Sequence, residues 1–275
     1  MRANDHPVAV VTGASSGIGE ETARLLASRG WHCVLVARRR DRLEALAEEL
    51  GCEWEVCDVG EREAVEAAAA RILDRHSTVH LLVNNAGMPA RRPLDEVELE
   101  LVERVARVNY LGGVWATRAL LPGLRSGAAA GGAHVVNVVS VAGAVAFAPS
   151  GAYSAAKHAQ LAFSRSLRVS LIGSGIAVHT ILPGYVQTEG FPQRSLLAHP
   201  MLRRIVAQPE DIARAILKAV ERGRREVVVP WFPYRPALAL YGIAPPLFAR
   251  AGDWMVRTSA TFRAKAAEGD EGGAT

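Results

Sequence analysis

A serine, a tyrosine and a lysine carry the most legible chemistry in this chain, within the run S-V-A-G-A-V-A-F-A-P-S-G-A-Y-S-A-A-K at residues 140–157. Tyr153 and Lys157 are four positions apart, so on a helix they stand on one face, one turn from each other. A free phenol keeps its proton until about pH 10. An ammonium one turn away would favour the phenolate and draw that pKa toward the working range. Ser140 closes the apolar run V-V-N-V-V-S, a predicted buried strand, which puts its hydroxyl at the strand's C-terminal edge. A hydroxyl that holds a carbonyl oxygen, beside a phenol that protonates it, suits reduction of a ketone or the reverse oxidation of an alcohol. Tyrosine and lysine at helical spacing are common by chance, so the triplet draws its meaning from the rest of the chain.

The elements that would position it begin with a short apolar strand, Val8 to Thr12. A turn, G-A-S-S-G-I-G, and a helical pattern follow it. Strand, glycine turn and helix together point free backbone N–H groups and a helix N-terminus at a phosphate. Gly13, Gly17 and Gly19 are spaced G-x-x-x-G-x-G, and such glycines also serve turns with no ligand. A second apolar run, Cys33 to Ala37, ends at Arg38, Arg39 and Arg40, where an NAD-binding unit usually carries an acid for the ribose 2′-hydroxyl. Guanidinium groups there suit a 2′-phosphate, hence NADP; a solvated basic start to a helix at 41–50 is the alternative. Next come a predicted strand at 53–59, a helix at 61–75, a strand at 79–83 and a turn, N-N-A-G, at 84–87. A long helical region at 95–126 contains Asn109, an amide poorly suited to a helix interior. A Gly/Ala-rich loop at 127–133 leads to the Ser140 strand. The Tyr153 helix runs to about residue 172, and further strands follow at 176–182 and 226–230. Strands alternating with helices predict an α/β fold, a parallel sheet with helices on both faces and a ligand at the strands' C-terminal ends.

The totals agree with an ordinary globular chain: 275 residues, 49% hydrophobic, 22% charged, with a net charge of +4. The arginine clusters are short and lack interleaved aromatic platforms, so nucleic-acid binding is not expected. Cys33, Cys52 and Cys57 have no metal-ligand spacing and suggest reduced thiols; no metal is expected. With no apolar leader before the first strand, the expected location is cytoplasmic.

Five motifs in register resemble the short-chain dehydrogenase/reductase family: T-G-A-S-S-G-I-G (12–19), N-N-A-G (84–87), Ser140, Y-S-A-A-K (153–157) and P-G-Y-V-Q-T (183–188). The resemblance spans roughly residues 7–230. It implies a single Rossmann-type doubly wound parallel sheet of about seven strands, and a catalytic tetrad of Asn109, Ser140, Tyr153 and Lys157. Lys157 would also bind the nicotinamide ribose, and Asn109 would support a water relay. The same resemblance implies cofactor contacts from Gly13, Ser15, Ser16, Gly17, Ile18 and Gly19. It adds Asp58 and Val59 around the adenine, and Asn85, Ala86 and Gly87 along the cofactor. Pro183, Gly184, Val186 and Thr188 complete it around the carboxamide. Arg38 and Arg39 resemble the NADP-preferring members, with NAD(H) left open. A small carbonyl or alcohol substrate and a homodimer or homotetramer are implied as well.

Two stretches depart from family expectation or extend it. Residues 190–206 fall where the family places a mobile lid, and Leu196, Leu197, Met201, Leu202 and Ile205 suggest a bulky apolar substrate. After the 1–230 domain, a tail at 231–275 is apolar and aromatic near its start (Trp231, Phe232, Tyr234), with Trp254 further on, and frays over its last residues. Its longest uncharged stretch, 236–249, is shorter than the roughly 20 residues of a spanning helix. A helical extension packed on the domain near the lid, a dimer contact and a peripheral membrane anchor stay open. The expected activity is an NADP(H)-dependent oxidoreductase; the alternatives are a membrane-peripheral lipid or steroid reductase of the same chemistry and a catalytically silent cofactor-binding scaffold.

Overall fold

β1 (Val8–Thr12) is buried along its whole length, as a strand covered on both faces must be, and it sits in the interior of the sheet. The computed structural model describes residues 6–92, 95–146, 151–200, 202–246 and 250, the side chain of residue 195 excepted. Around β1 lie β2 (His32–Ala37), β3 (Glu53–Val56), β4 (Leu81–Asn84), β5 (Ala133–Val138), β6 (Ile176–Pro183) and, after the short pair β7 (Tyr185–Val186) and β8 (Val206–Ala207), β9 (Glu226–Val229). The seven-stranded sheet has the order β3-β2-β1-β4-β5-β6-β9, parallel at every pairing. The order reverses between β1 and β4, so the glycine turn and the N-N-A-G turn leave neighbouring strand ends at the switch point.

Helices α1 (Gly17–Ala27) and α2 (Arg40–Leu50) and, later, α8 (Pro209–Glu221) pack against one face of the sheet, where Leu26, Leu43 and Ile212 are fully buried. On the other face lie α3 (Arg62–Arg75), α5 (Gly112–Ala129) and α6 (Gly151–Ser170), burying Ile72 and Leu124. Short α4 (Leu99–Ala106) precedes α5, α7 (Arg194–Ala198) lies in the predicted lid, and α9 (Tyr234–Ile243) begins the tail.

The single helix expected at 95–126 is three pieces: α4, a π turn at Arg107–Leu111, and α5. The extra residue of a π turn re-aims the side chains it carries, and this turn carries Asn109. The loop expected at 127–133 is shorter than that, since α5 continues through Ala129 and β5 begins at Ala133. Two glycines of α5 serve packing: a Cβ at Gly127 would lie 2.2 Å from the Val79 carbonyl oxygen, and one at Gly123 would lie 2.6 Å from Leu73. The strand expected at 53–59 stops at Val56.

A buried polar ladder crosses the sheet where Asn84, Asn137 and Thr180 are in register. Asn84 Nδ2 donates to Asn137 Oδ1 and Thr117 Oγ1, both at 2.9 Å, Asn137 Nδ2 donates to Ser164 Oγ at 2.9 Å, and Ser164 and Thr180 share a 2.7 Å bond. At the opposite end of the sheet, His32 and His76 both meet Glu53 Oε1, at 3.1 and 2.9 Å, while Arg75 donates to Glu53 Oε2 at 2.8 Å. Arg75 neutralises that carboxylate and His76 Nδ1 has no acceptor to orient a ligating tautomer. The cluster therefore reads as a staple between β2, β3 and α3 rather than an ion site. The three cysteines are unbridged.

Candidate active site

The strand ends bring the two cofactor turns into contact through Thr12, a residue whose role the motif reading did not single out. Its Oγ1 accepts from the Asn85 and Ala86 N–H groups at 3.0 and 3.1 Å and donates to the Val83 carbonyl at 3.2 Å. Asn85 Nδ2 answers by donating to the Thr12 and Gly13 carbonyls at 3.0 and 3.3 Å. The fit leaves no room for side chains: a Cβ at Gly19 would lie 2.2 Å from the Gly13 oxygen, and Gly13 itself has φ +68 against Ala86. Beyond this turn α1 starts at Gly17 with no side-chain cap from Ser16, so its first N–H groups are available to an anion. Thr188 closes the far side, since a Cβ at Gly17 would lie 3.0 Å from Thr188 Cγ2. The motifs at 12–19, 84–87 and 183–188 therefore converge on one cradle, and its residues fit a dinucleotide phosphate.

Arg39 reaches over this cradle. Its guanidinium donates to Ser16 Oγ at 2.6 Å and Ser15 Oγ at 3.1 Å, and to Glu189 Oε2 at 3.2 Å. Arg42, which the sequence did not single out, converges on the same carboxylate. The paired arginines hold Glu189 below the usual carboxylate range, Arg42 most. Arg38 is exposed at the end of β2. Asp58 pairs with Arg104 and accepts from the Gly60 N–H at 2.9 Å, while Val59 is buried against Gly112.

Ser140 stands where β5 leads into a short 3-10 turn, Val141–Gly143, its Oγ accepting from the Ala142 N–H at 3.1 Å and donating to the Pro183 carbonyl at 3.4 Å. Its hydroxyl is close enough to the Tyr153 side chain to favour the ionised phenol, so the two groups proposed to meet a carbonyl oxygen lie together. Lys157 is buried, its Nζ 3.1 Å from the Val138 carbonyl, 2.8 Å from Gln160 Oε1 and 5.9 Å from the centre of the Tyr153 ring. Asn109 is buried in the π turn, accepting from the Met88 N–H at 3.0 Å and donating to the Met88 carbonyl at 2.9 Å. Gly87 makes this approach feasible, because a Cβ there would lie 2.8 Å from Asn109 Oδ1.

The tetrad residues thus gather at one place, but their electrostatics differ from the sequence-based expectation. Burial pushes the Tyr153 phenol up to about 12, offset in part by the Ser140 hydrogen bond and the Arg91 charge. The Lys157 Nζ is turned toward the Val138 carbonyl and Gln160. Burial brings Lys157 itself down to about 7. A phenol that keeps its proton at neutral pH is in the state a proton donor requires.

Around the Tyr153 ring lie Phe191, with centroids 5.7 Å apart, and Arg91, whose guanidinium is 5.9 Å from the Phe191 ring centre. The motif reading named neither for the cleft. In the predicted lid, Leu196 is fully buried and packs the segment onto the domain, so it does not offer substrate surface; Leu197 is exposed. Met201 lies outside the described residues. Tyr234 is buried, its hydroxyl donating to the Ile205 carbonyl at 3.0 Å and accepting from the Tyr185 N–H at 3.1 Å, but Trp231 and Phe232 are 64% and 71% exposed. The seat beneath Gly184 takes one ring. Trp254 lies outside the described residues, and among those described no helix is long and apolar enough to cross a membrane.

Comparison with known proteins gives a consistent picture. A family model described as short chain dehydrogenase matches residues 7–195. Dehydrogenase/reductase SDR family member 7B of Danio rerio is 33% identical over 264 residues, covering 88% of this chain and 83% of that protein. Among solved structures, a short chain dehydrogenase/reductase from Burkholderia phymatum in complex with NAD is similar at TM-score 0.77 and 28% identity, covering 90% of this chain and 96% of that one. A variant of actinorhodin polyketide ketoreductase with NADPH is similar at TM-score 0.74 and 29% identity, covering 83% of this chain and 97% of that one.

Proposed function

The chain belongs to the short-chain dehydrogenase/reductase family, an oxidoreductase acting on CH–OH and C=O groups with a nicotinamide cofactor, and from that premise we propose that it is NADP(H)-dependent and interconverts a ketone or aldehyde with an alcohol on a bulky, apolar substrate. The observation that carries this reading is the gathering of Ser140, Tyr153 and Lys157, with the Ser140 hydroxyl acting on the Tyr153 phenol and the Lys157 amine 5.9 Å from the centre of its ring. A bound nicotinamide supplies the hydride for carbonyl reduction or takes it up in alcohol oxidation. Ser140 fixes the substrate oxygen, and Tyr153, protonated at neutral pH, gives that oxygen its proton as the carbonyl is reduced. Lys157 supports the charge that then develops on the phenolate, while Asn109 ties the Met88 backbone beside it. Phe191 and the Tyr153 ring supply apolar surface for the substrate. A screen of cofactor consumption by the purified protein against apolar ketones and alcohols, with both cofactors, tests the reading; turnover on none of them would count against it. Assembly as a homodimer or homotetramer belongs to the same proposal and is checked by light scattering.

Cofactor choice rests on Arg39, already across Ser15 and Ser16 where a 2′-phosphate would lie, with Arg38 beside it. NADPH should bind more tightly than NADH. Losing one charge-assisted contact should weaken NADPH roughly tenfold to a hundredfold in Arg39→Ala, while NADH binding stays nearly unchanged. Fluorescence titration of both cofactors decides it, and equal affinities in the unaltered protein would remove the basis for the preference.

A further inference from the structure

We propose that Gln160 is a positioning residue for Lys157, its carboxamide holding the ammonium with one end while a single water shared with Asn84 holds the other. The proposal rests on the reading of Tyr153 and Lys157 as proton donor and supporting charge. Gln160 is 3% exposed and follows Lys157 by three residues on α6, so the two side chains lie on one helix face. An ammonium only donates, which fixes the carboxamide: Oε1 faces Lys157 at 2.8 Å and Nε2 faces away. Gln160, Asn84 and Thr12 line a narrow cavity of about 10 Å³, closed on another side by Val108, Gly112 and Gly113 of the π turn and α5. That volume admits about one water. Asn84 Oδ1 is buried there with no protein donor, since Nδ2 is committed to Thr117 and Asn137. A buried amide and a buried carbonyl oxygen beside one water-sized space are the partners such a water needs.

No ionised partner stabilises Lys157: burial is the cause of its shift. Tyr153 is the titratable neighbour on its own helix. From the other elements packed against it come the Val138 carbonyl on β5, Gly87 after β4 and Asn109 in the π turn, none of which ionises. The acceptors at Gln160 and Val138 are therefore what keeps a buried amine charged. Removing an acceptor disfavours the charged form and lowers the pKa; a carboxylate in its place favours it and raises the pKa.

Lys157, Lys218 and Lys265 are the chain's three lysines, so protein labelled with 13C at lysine Cε gives three signals to follow across pH, Lys157 being assigned by its loss in Lys157→Arg. The Lys157 signal should titrate near pH 7, move down by roughly one unit or more in Gln160→Leu, and move up in the isosteric Gln160→Glu, which keeps the fold testable if the leucine variant does not fold. Turnover on a screened substrate should fall in Gln160→Leu, with its pH profile displaced toward acid, and recover in Gln160→Glu. A Lys157 titration unmoved in the variants overturns the proposal whatever the turnover. A titration that moves as expected, with turnover indifferent to Lys157→Met, overturns instead the reading of Lys157 in the reaction and leaves the hold of Gln160 on it standing.

Discussion

Replacing Tyr153 by phenylalanine should lower turnover ~10²–10⁴-fold, the range typical of a general acid or base, while cofactor affinity stays nearly intact. The hydroxyl acts beside Ser140, whereas the turns proposed to face the phosphate are built from Gly13, Gly17, Gly19 and the Asn85–Gly87 segment. The phenylalanine ring can keep the contacts with Phe191 and the Lys157 side chain, so the loss falls on proton transfer alone. Because burial holds the phenol near 12, the protonated form prevails through neutral pH and reduction should proceed without an acidic optimum set by Tyr153. Oxidation needs the phenolate, so its rate should rise with pH over the same range. Steady-state turnover, paired with cofactor titration by fluorescence, checks both statements; near-wild-type turnover in the phenylalanine variant would end the assignment.

Much of this site is readable from residue order because its parts are short and local. A glycine turn after an apolar strand, a tyrosine and lysine at helical spacing, and N-N-A-G after another strand each describe a few adjacent residues. A parallel sheet then delivers them to one edge by its connectivity. Contacts between distant segments are the less legible part. Thr12 looks like the last residue of a strand until Asn85 and Ala86, more than 70 residues later, are seen to hang from its hydroxyl. Gln160 resembles an ordinary polar position of an exposed helix, and its burial follows from the neighbouring π turn. Gly127 reads as a loop former by composition, yet it lets α5 press against the lead into β4. Spacing places Lys157 near the phenol but carries no information on how deeply the ring is buried, and burial is what raises the Tyr153 pKa.

Removing the tail from residue 231 onward should destabilise the domain and loosen the cofactor's nicotinamide end, through one residue. Tyr234 presses its ring onto Gly184, where a Cβ would lie 2.1 Å from Cε2, and its hydroxyl ties the Tyr185 N–H to the Ile205 carbonyl. It thereby joins the P-G-Y-V-Q-T loop to the end of the lid, with Leu182 and Val228 beneath it in the same apolar cluster. Truncating such a buried aromatic residue costs about 3–5 kcal/mol, so Tyr234→Ala and the deletion should both lower the melting temperature by several degrees or more and raise the KM for cofactor. Gly184→Ala should reproduce the effect with the tail intact, because the added methyl displaces the ring. Tyr234→Phe, which keeps the ring and loses the two hydrogen bonds, should cost about 1–3 kcal/mol. Trp231→Ala and Phe232→Ala, at exposed positions of the same tail, should stay within about 0.5 kcal/mol. Thermal unfolding of the six variants separates a clamp at Tyr234 from general stickiness of the tail. A deletion with unchanged stability, assembly and kinetics would show that the lid and the loop hold together without it.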